Sequence, residues 1–253
     1  MAHTPDPHFG SLLQTADHRH GSLHEFANVH PDIWELVESH IFAARALCQS
    51  CLNYSGADER TGWCNVLLFS CHEYLEDSVY LLIAQRQDAA YSLLRNAAET
   101  ARTAARISES DDNFRRWLNH KTGDKAKHPK PAFKFKDDDK AEDFVHRLYT
   151  ACSEFGTHSH CTSMLFKSDH SLTPDGQFVI TQSTDLDILK GLKLWFPAVM
   201  PTLLMASKGF QPHFKDKHDM SYKHAFDLLF DLSPAVTAFD NYVDQLAASQ
   251  DPA

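Results

Sequence analysis

The sequence is poor in glycine, and it lacks both an excess of positive charge and a long unbroken apolar run. Only nine of the 253 residues are glycine, which disfavours an all-β fold built on many tight turns. The net charge of −10 argues against broad, non-specific nucleic-acid binding, although it is compatible with a local basic patch. The chain also has no glycine-rich phosphate loop and no nucleophile elbow, which excludes two common kinds of catalytic motif.

The most apolar run, GLKLWFPAVMPTLLMA at 191–206, is interrupted by Lys193, Pro197 and Pro201. This run falls short of the ~20 apolar residues that a membrane-spanning helix needs, so we expect a buried, kinked helix and no membrane segment. The first residues, MAHTPDPHFG, are polar and contain prolines, which is untypical of a signal peptide. With the six cysteines expected to be reduced thiols, these features favour a cytoplasmic protein.

Helix signals are regular in the first half of the chain. Residues 30–32, His-Pro-Asp, begin one helix, and Asp58 precedes a second. A turn at Arg86–Asp88, with Asp88 as N-cap, leads into a third helix, and Asp111 or Asp112 is expected to cap a shorter one. Residues 1–29 show no clear periodicity, so we predict a loosely ordered N-terminal arm with at most a short helical turn.

The second half is predicted to hold a loop, a helix, a β-hairpin and two further helices. In chain order these segments are 122–140, about 138–155, 163–182, 185–208 and 219–247. The hairpin is indicated by SMLFKS and QFVITQ on either side of a Thr-Pro-Asp-Gly turn. We therefore predict an all-α protein: a single helical domain over 30–248, a bundle of about six or seven helices with one small β-hairpin near 163–182.

The stretch YSLLRNAAETARTAARI at 91–107 carries charged side chains along one line of an alanine-rich helix. At 100° per residue, Tyr91, Arg95, Glu99, Arg102 and Arg106 fall within a narrow sector. The small alanines on the remaining surface allow a neighbouring helix to approach closely. This row of side chains is the best candidate for a functional surface in the sequence.

The preceding helix carries its own acidic line, Glu73 and Asp77. If the two helices form an antiparallel hairpin about the turn near Arg86, Asp77 lies opposite Arg95 and Glu73 lies opposite Glu99. Two interpretations are open. The charges form an interhelical ladder on a partly exposed seam, or they form a partly buried polar cluster facing a cleft, whose desolvation then needs a functional explanation.

A second signal lies at the end of the helix VHRLYTACSEFGTHSH at 145–160. QRQDAAYSLLRNAAETAR, followed by YTACSEFGTHSH, resembles an uncharacterised family of bacterial all-helical proteins with an LLRxxxE helix and a later Ser/Thr-rich turn that ends in His. That family is similar in style to HEPN domains, which are helical and often act as ribonucleases in toxin and defence systems. The resemblance covers about residues 70–160 and implies a site at Arg95, Glu99 and His158.

The same resemblance implies a chemistry. HEPN ribonucleases use an arginine followed, after four to six residues, by a histidine, and RRWLNH gives this spacing from Arg115 to His120. RNA cleavage without a metal needs a base for the 2′-hydroxyl, an acid for the leaving oxygen and a cation for the phosphate. His158 or His120 would transfer the protons, and Arg95, Arg102 or Arg115 would hold the phosphate. Alternatively, His158 packs locally in a loop.

The remaining constellations are weaker. Cys48 and Cys51 form a CxxC pair without a second pair, so buried thiols are expected rather than zinc. No cofactor and no metal are expected. The lead hypothesis is a HEPN-like protein that binds or cleaves RNA and is a homodimer. The alternative is a non-catalytic scaffold or regulator that dimerises and binds a partner.

Overall fold

The computed structural model describes residues 12–120, 133–136, 139–156, 169–172, 178–181, 185–215 and 220–250. It confirms the all-α class. The helices are α1 Leu12–Val29, α2 Pro31–Leu52, α3 Glu59–Ile83, α4 Gln87–Glu109, α5 Asp111–His120, α6 Lys140–Gly156, α7 Asp185–Ala206, α8 Gln211–Lys215, α9 Met220–Asp231 and α10 Ser233–Gln250, with a 3₁₀ turn at Lys208–Phe210.

Two short strands, β1 Asp169–Leu172 and β2 Phe178–Thr181, pair antiparallel with Asp169 opposite Thr181. β1 begins after the SMLFKS segment that was expected to form the first strand. That segment and the Thr-Pro-Asp-Gly turn lie outside the described residues.

Helix starts follow the sequence signals at two of the four expected places. Pro31 occupies the first turn of α2, and the Asp58 carboxylate accepts a 2.8 Å hydrogen bond from the backbone N–H of Thr61 at the start of α3. The predicted positions of the other two N-caps were wrong by one or two residues. α4 is preceded by Arg86 rather than Asp88, and Ser110 rather than an aspartate accepts the first-turn N–H at α5.

The chain holds more helices than the six or seven expected, for two reasons. Leu12–Val29 is an 18-residue helix where a loosely ordered arm was expected, and its Phe26 is buried in the core. The predicted last helix is divided between α9 and α10, because Pro234 cannot continue a helix and instead lies in the first turn of a new one.

α3 and α4 form the expected helical hairpin, joined by a very short turn. Gln85 adopts a left-handed conformation with φ of 57°, and the N–H of Arg86 donates to the Leu81 carbonyl at 2.8 Å. This is a Schellman termination, which reverses the chain immediately after the helix ends. The two helices meet through small side chains, as shown by the Cys71 thiol, which donates to the Ala97 carbonyl at 3.6 Å.

α7 is the central apolar helix and runs unbroken through Pro197 and Pro201. Its Gly191 lies so close to α3 that a Cβ there would meet Leu82 Cδ2 at 2.7 Å. The buried Trp195 indole donates a hydrogen bond to the Leu75 carbonyl at 2.9 Å. α7 therefore forms the core of the bundle together with α3 and α4.

The expectation that the α7 segment is too short to span a membrane was wrong. The helix begins at Asp185 and has 22 residues, and within the described ranges it is the one helix long and apolar enough for a membrane span. Most of it is buried inside the protein, and the core helix of a globular protein has the same length and composition.

A buried ion pair joins α4 to α6. The side chains of Arg106 and Glu142 are each 1% exposed and are in direct contact. Arg106 also donates to Glu109 at 2.7 Å and twice to the Lys134 carbonyl, at 3.0 and 2.9 Å. Glu142 in turn accepts from the backbone N–H of Lys136 at 2.6 Å. The pair therefore holds two helices and the short segment 133–136 in one arrangement.

A second buried polar group lies between α2 and α7. His40 is 3% exposed, hydrogen-bonds the Leu36 carbonyl through Nδ1 at 2.8 Å, and packs against the Phe196 ring at 5.0 Å. Burial lowers the pKa of His40 below its usual value of 6.5, and the Leu36 hydrogen bond opposes this effect only in part. His40 is therefore held in its neutral form.

We predict that replacing Glu142 by Gln lowers the free energy of unfolding by about 3–5 kcal/mol, because Arg106 then keeps a buried charge without its main counter-ion. Asp143→Asn is the matched control on the same helix, since Asp143 pairs with the exposed Arg147 and its loss is worth at most ~1 kcal/mol. Urea denaturation measures both. Equal losses for the two variants would show that the buried pair does not fix α4 on α6.

The second stability prediction concerns pH. The lowered pKa of His40 means that the unfolded chain binds a proton the folded chain does not, so the free energy of unfolding falls as pH drops below 6.5. His40→Gln should flatten this dependence between about pH 5 and 7.5, whereas His224→Gln, at an exposed position, should leave it unchanged. Urea titrations across this range provide the measurement. A wild-type slope that persists in His40→Gln would contradict the assignment.

Candidate functional site

The charged row of α4 faces α6, and not α3 as expected. Glu73 and Asp77 are exposed on α3, and neither makes an ion pair with a described arginine of α4. The reason is the alanine surface. Ala97, which contacts α3 through Cys71, lies about 200° around the helix from Arg95. The helix places its alanines against α3 and so directs its arginines to the opposite side.

Arg95 is the outer cation of this site. Its guanidinium donates to Glu99 at 3.3 Å and to the Tyr149 hydroxyl at 3.4 Å, and it lies 5.2 Å from the centre of the Tyr149 ring. Its side chain remains 29% exposed. Desolvation opposes the charge of Arg95, but Tyr149 and Glu99 outweigh that effect and raise its pKa. Arg95 is therefore a stable cation at the protein surface.

Arg102, one to two turns further along α4, has no such partner. Its guanidinium lies 4.9 Å from the Phe135 ring centre and 5.9 Å from that of Tyr149. Among the described residues it makes no ion pair, and its Nε is buried without a hydrogen-bond acceptor. Desolvation lowers the pKa of Arg102, the charge of Glu99 opposes this, and the nearby Arg106 and Arg95 lower it further. Arg102 is thus a partly buried cation without an ion-pair partner among the described residues.

The aromatic wall of the site was missed by the sequence analysis. The ring of His146 stacks on Phe135 with centroids 4.7 Å apart, and Tyr149 tilts against Phe135 at 5.7 Å. His146 and Tyr149 are three residues apart and hence on one face of α6, a spacing that the sequence displays. Phe135 has no comparable signal, because the Arg106–Glu142 pair is what places its segment here. We name Arg95, Glu99, Arg102, Phe135, His146 and Tyr149 the arginine–aromatic site.

The other predicted site residues do not join it in the described structure. Arg115 is exposed on α5, beyond the end of α4, and helix rise alone separates Arg95 from Glu109 by about 21 Å. His120 is the last residue of α5, and its side chain is not described. His158 lies outside the described residues, two positions after the last residue of α6. The structure thus brings together Arg95, Glu99 and Arg102 and leaves Arg115 apart.

The arrangement suits an anion with a flat, apolar neighbour. Guanidinium groups bind carboxylates and phosphates with paired hydrogen bonds, and the guanidinium of Arg102 has no ion-pair partner among the described residues. The adjoining rings of Tyr149 and His146 provide surfaces on which a planar group can stack. The geometry therefore favours a phosphate ester that carries a ring.

Metal ligands and reactive thiols do not gather in the described part of the chain. No group of three or more histidine, cysteine, aspartate or glutamate residues there could hold a metal ion. The five described cysteines are buried, as expected for Cys48 and Cys51. Burial raises the pKa of Cys48, Cys64 and Cys152 to about 12, so these thiols stay protonated and unreactive at neutral pH.

The sequence matches no protein-family model, and no curated protein and no solved structure is significantly similar to it.

We predict that Arg102→Met leaves the free energy of unfolding unchanged or raises it by up to ~1 kcal/mol, because the lowered pKa of Arg102 shows that its charge opposes folding. Arg106→Met should instead lower the free energy of unfolding by about 3 kcal/mol or more, since it leaves Glu142 without its partner. Urea denaturation of the two variants measures this contrast. A large loss for Arg102→Met would show that Arg102 is a structural residue.

Proposed function

We propose that this is a HEPN-like RNA-binding protein, whose arginine–aromatic site holds an RNA phosphate between Arg95 and Arg102. The observation that carries the proposal is the partly buried Arg102 guanidinium, which has no anionic partner among the described residues. A bound phosphate would supply that partner. It would also offset the repulsion that Arg102 experiences from Arg95 and Arg106.

The charge of the chain limits the contact to this site. A protein with a net charge of −10 repels an extended phosphate backbone, so it can hold RNA only where cations converge. A single phosphate held between two arginines predicts a weak dependence on salt, with a slope of about −0.7 in log K against log salt for a single strand. Extended basic grooves give much steeper slopes.

The aromatic wall favours single-stranded RNA. Bases of an unpaired strand can stack on tyrosine and histidine rings, whereas the bases of a duplex are covered by their neighbours. Tyr149 lies beside both arginines and His146 stacks on Phe135, whose ring contacts Arg102, so a base attached to the bound phosphate would reach this aromatic cluster. The substrate class is thus an unpaired RNA segment.

Cleavage adds proton transfer to this binding step. In the metal-free reaction the 2′-oxygen attacks phosphorus, the bond to the 5′-oxygen breaks, and the products are a cyclic phosphate and a 5′-hydroxyl. His158, from the family resemblance, is the proposed acid–base residue, and His146, stacked on Phe135, is a second imidazole in the site. Arg95 and Arg102 would stabilise the charge that develops on the phosphate.

The binding test uses a fluorescein-labelled single-stranded RNA of ~12 nucleotides, with affinity measured by fluorescence anisotropy. Arg102→Gln should weaken binding about tenfold or more, because paired charge-assisted hydrogen bonds are lost. Arg147→Gln is the matched control: it removes the same charge from the exposed side of α6, where Arg147 pairs with Asp143. Absence of binding by the wild type, or equal losses for both variants, would overturn the proposal.

The cleavage test incubates the same RNA with wild type and with His158→Ala in the presence of a metal chelator. Cyclic-phosphate products that form with the wild type and disappear with His158→Ala support the catalytic step. If the RNA binds but is not cut, the proposed cleavage step is wrong. The binding function is tested separately by the anisotropy measurement.

A further inference from the structure

Two apolar grooves lie side by side along α2, far in sequence from the arginine–aromatic site. The first has a volume of about 340 Å³ and is lined mainly by Phe42, Leu228 and Leu232, where α2 meets α9. The second has a volume of about 420 Å³ and is lined by residues of α2 and α10, including Ile33, Leu36, Ala235 and Tyr242. Both grooves border α2, which contributes different residues to each, and we name the two grooves together the α2 face.

The α2 face exposes large apolar side chains. Phe42 is 66% exposed, Val29 is 58% exposed and Tyr242 is 45% exposed. Large apolar residues gathered along a groove are unusual on a protein without a partner and mark interaction surfaces. The grooves give those side chains a concave setting into which side chains of another molecule can insert.

The rim of the same face is acidic. Glu35, Glu38 and Asp231 line the first groove and Asp32 lines the second, and none of the four makes an ion pair with a described residue. The surrounding sequence also carries negative charge. Residues 20–44 and 224–253 contain four and five acidic residues, respectively, and neither segment contains a lysine or arginine. The sequence around the α2 face is therefore acidic.

We propose that the α2 face binds a basic amphipathic helix of a partner protein. The apolar side chains of that helix would enter the two grooves, and its lysines or arginines would pair with the four acidic residues of the rim. RNA does not fit, because its phosphates would meet the same carboxylates. A second copy of this chain fits poorly, because a two-fold axis through this face would place acidic residues against acidic residues.

The length of the surface sets the length of the partner. Asp32 of the second groove and Phe42 of the first are ten positions apart on α2, which corresponds to about 15 Å. A partner helix of about four turns covers that distance and presents apolar residues at i, i+3, i+4 and i+7 to both grooves.

The test uses a synthetic, fluorescein-labelled leucine–lysine amphipathic peptide of ~15 residues, titrated with the full-length protein. Phe42→Ser should weaken its binding about tenfold or more, because a central apolar anchor is lost. Phe230→Ser is the matched control, since Phe230 is 67% exposed on α9 but lines neither groove, and it should bind like wild type. The double variant Glu35→Lys/Glu38→Lys should lose the lysine peptide and gain affinity for a leucine–glutamate peptide.

Several outcomes would overturn the proposal. Equal losses for Phe42→Ser and Phe230→Ser, or equal binding of the lysine and glutamate peptides by wild type, would show that the grooves and their charge are not recognised. A wild-type dimer in sedimentation that Phe42→Ser dissociates would assign the face to a second copy. Arg102→Gln should leave peptide binding unchanged, so failure of the RNA proposal and failure of this one are distinguishable.

Discussion

The buried contact between Arg106 and Glu142 is the interaction on which the candidate site depends. It joins the middle of the bundle, α4, to the first turn of α6, and both partners also bind the backbone of the segment between them, at Lys134 and Lys136. That segment carries Phe135, and α6 carries His146 and Tyr149. The desolvated ion pair thereby helps to fix the aromatic wall against the arginines of α4, together with Phe133, Val145 and Leu148, the buried apolar side chains of the same elements.

Three arginines on one helix face meet three different environments. Arg106 is buried and neutralised by glutamates. Arg95 is partly exposed and hydrogen-bonds to Glu99 and Tyr149. Arg102 lies between them in the sequence and, among the described residues, packs against aromatic faces. The sequence presents the three as equivalent, because helical periodicity assigns them the same direction. Burial and partners give the three side chains different roles: Arg106 is structural, Arg95 is positioned by its partners, and Arg102 is available to a ligand. The functional assignment rests on this gradient along the helix and not on the presence of arginine.

The sequence predicted what local chemistry determines and failed where distant segments decide. Proline in the first turn of α2 and the Asp58 cap of α3 set helix starts without help from the rest of the chain. The charged face of α4 was also correctly identified. The helix that faces it was predicted wrongly. Periodicity fixes the direction of side chains on one helix but does not determine which of two neighbouring helices lies in that direction. The choice followed from alanines that admit α3 closely, and from a glutamate 36 residues downstream of Arg106.

The distribution of charge connects the two proposed surfaces. On the α2 face, Asp32, Glu35, Glu38 and Asp231 make no ion pair with a described residue and lie beside exposed apolar side chains, whereas on α4 Arg102 makes no ion pair with a described residue and lies beside aromatic rings. Packing alone explains neither, since an aliphatic residue at position 102 would avoid the desolvation of a charge, and a polar one at position 42 would avoid an exposed ring. Both positions therefore cost stability. A negatively charged ligand would pair with Arg102, and a positively charged one would pair with the acidic residues beside Phe42. Because the two signs are opposite, one ligand cannot satisfy both, so the RNA proposal and the peptide proposal concern two separate surfaces of one helical frame.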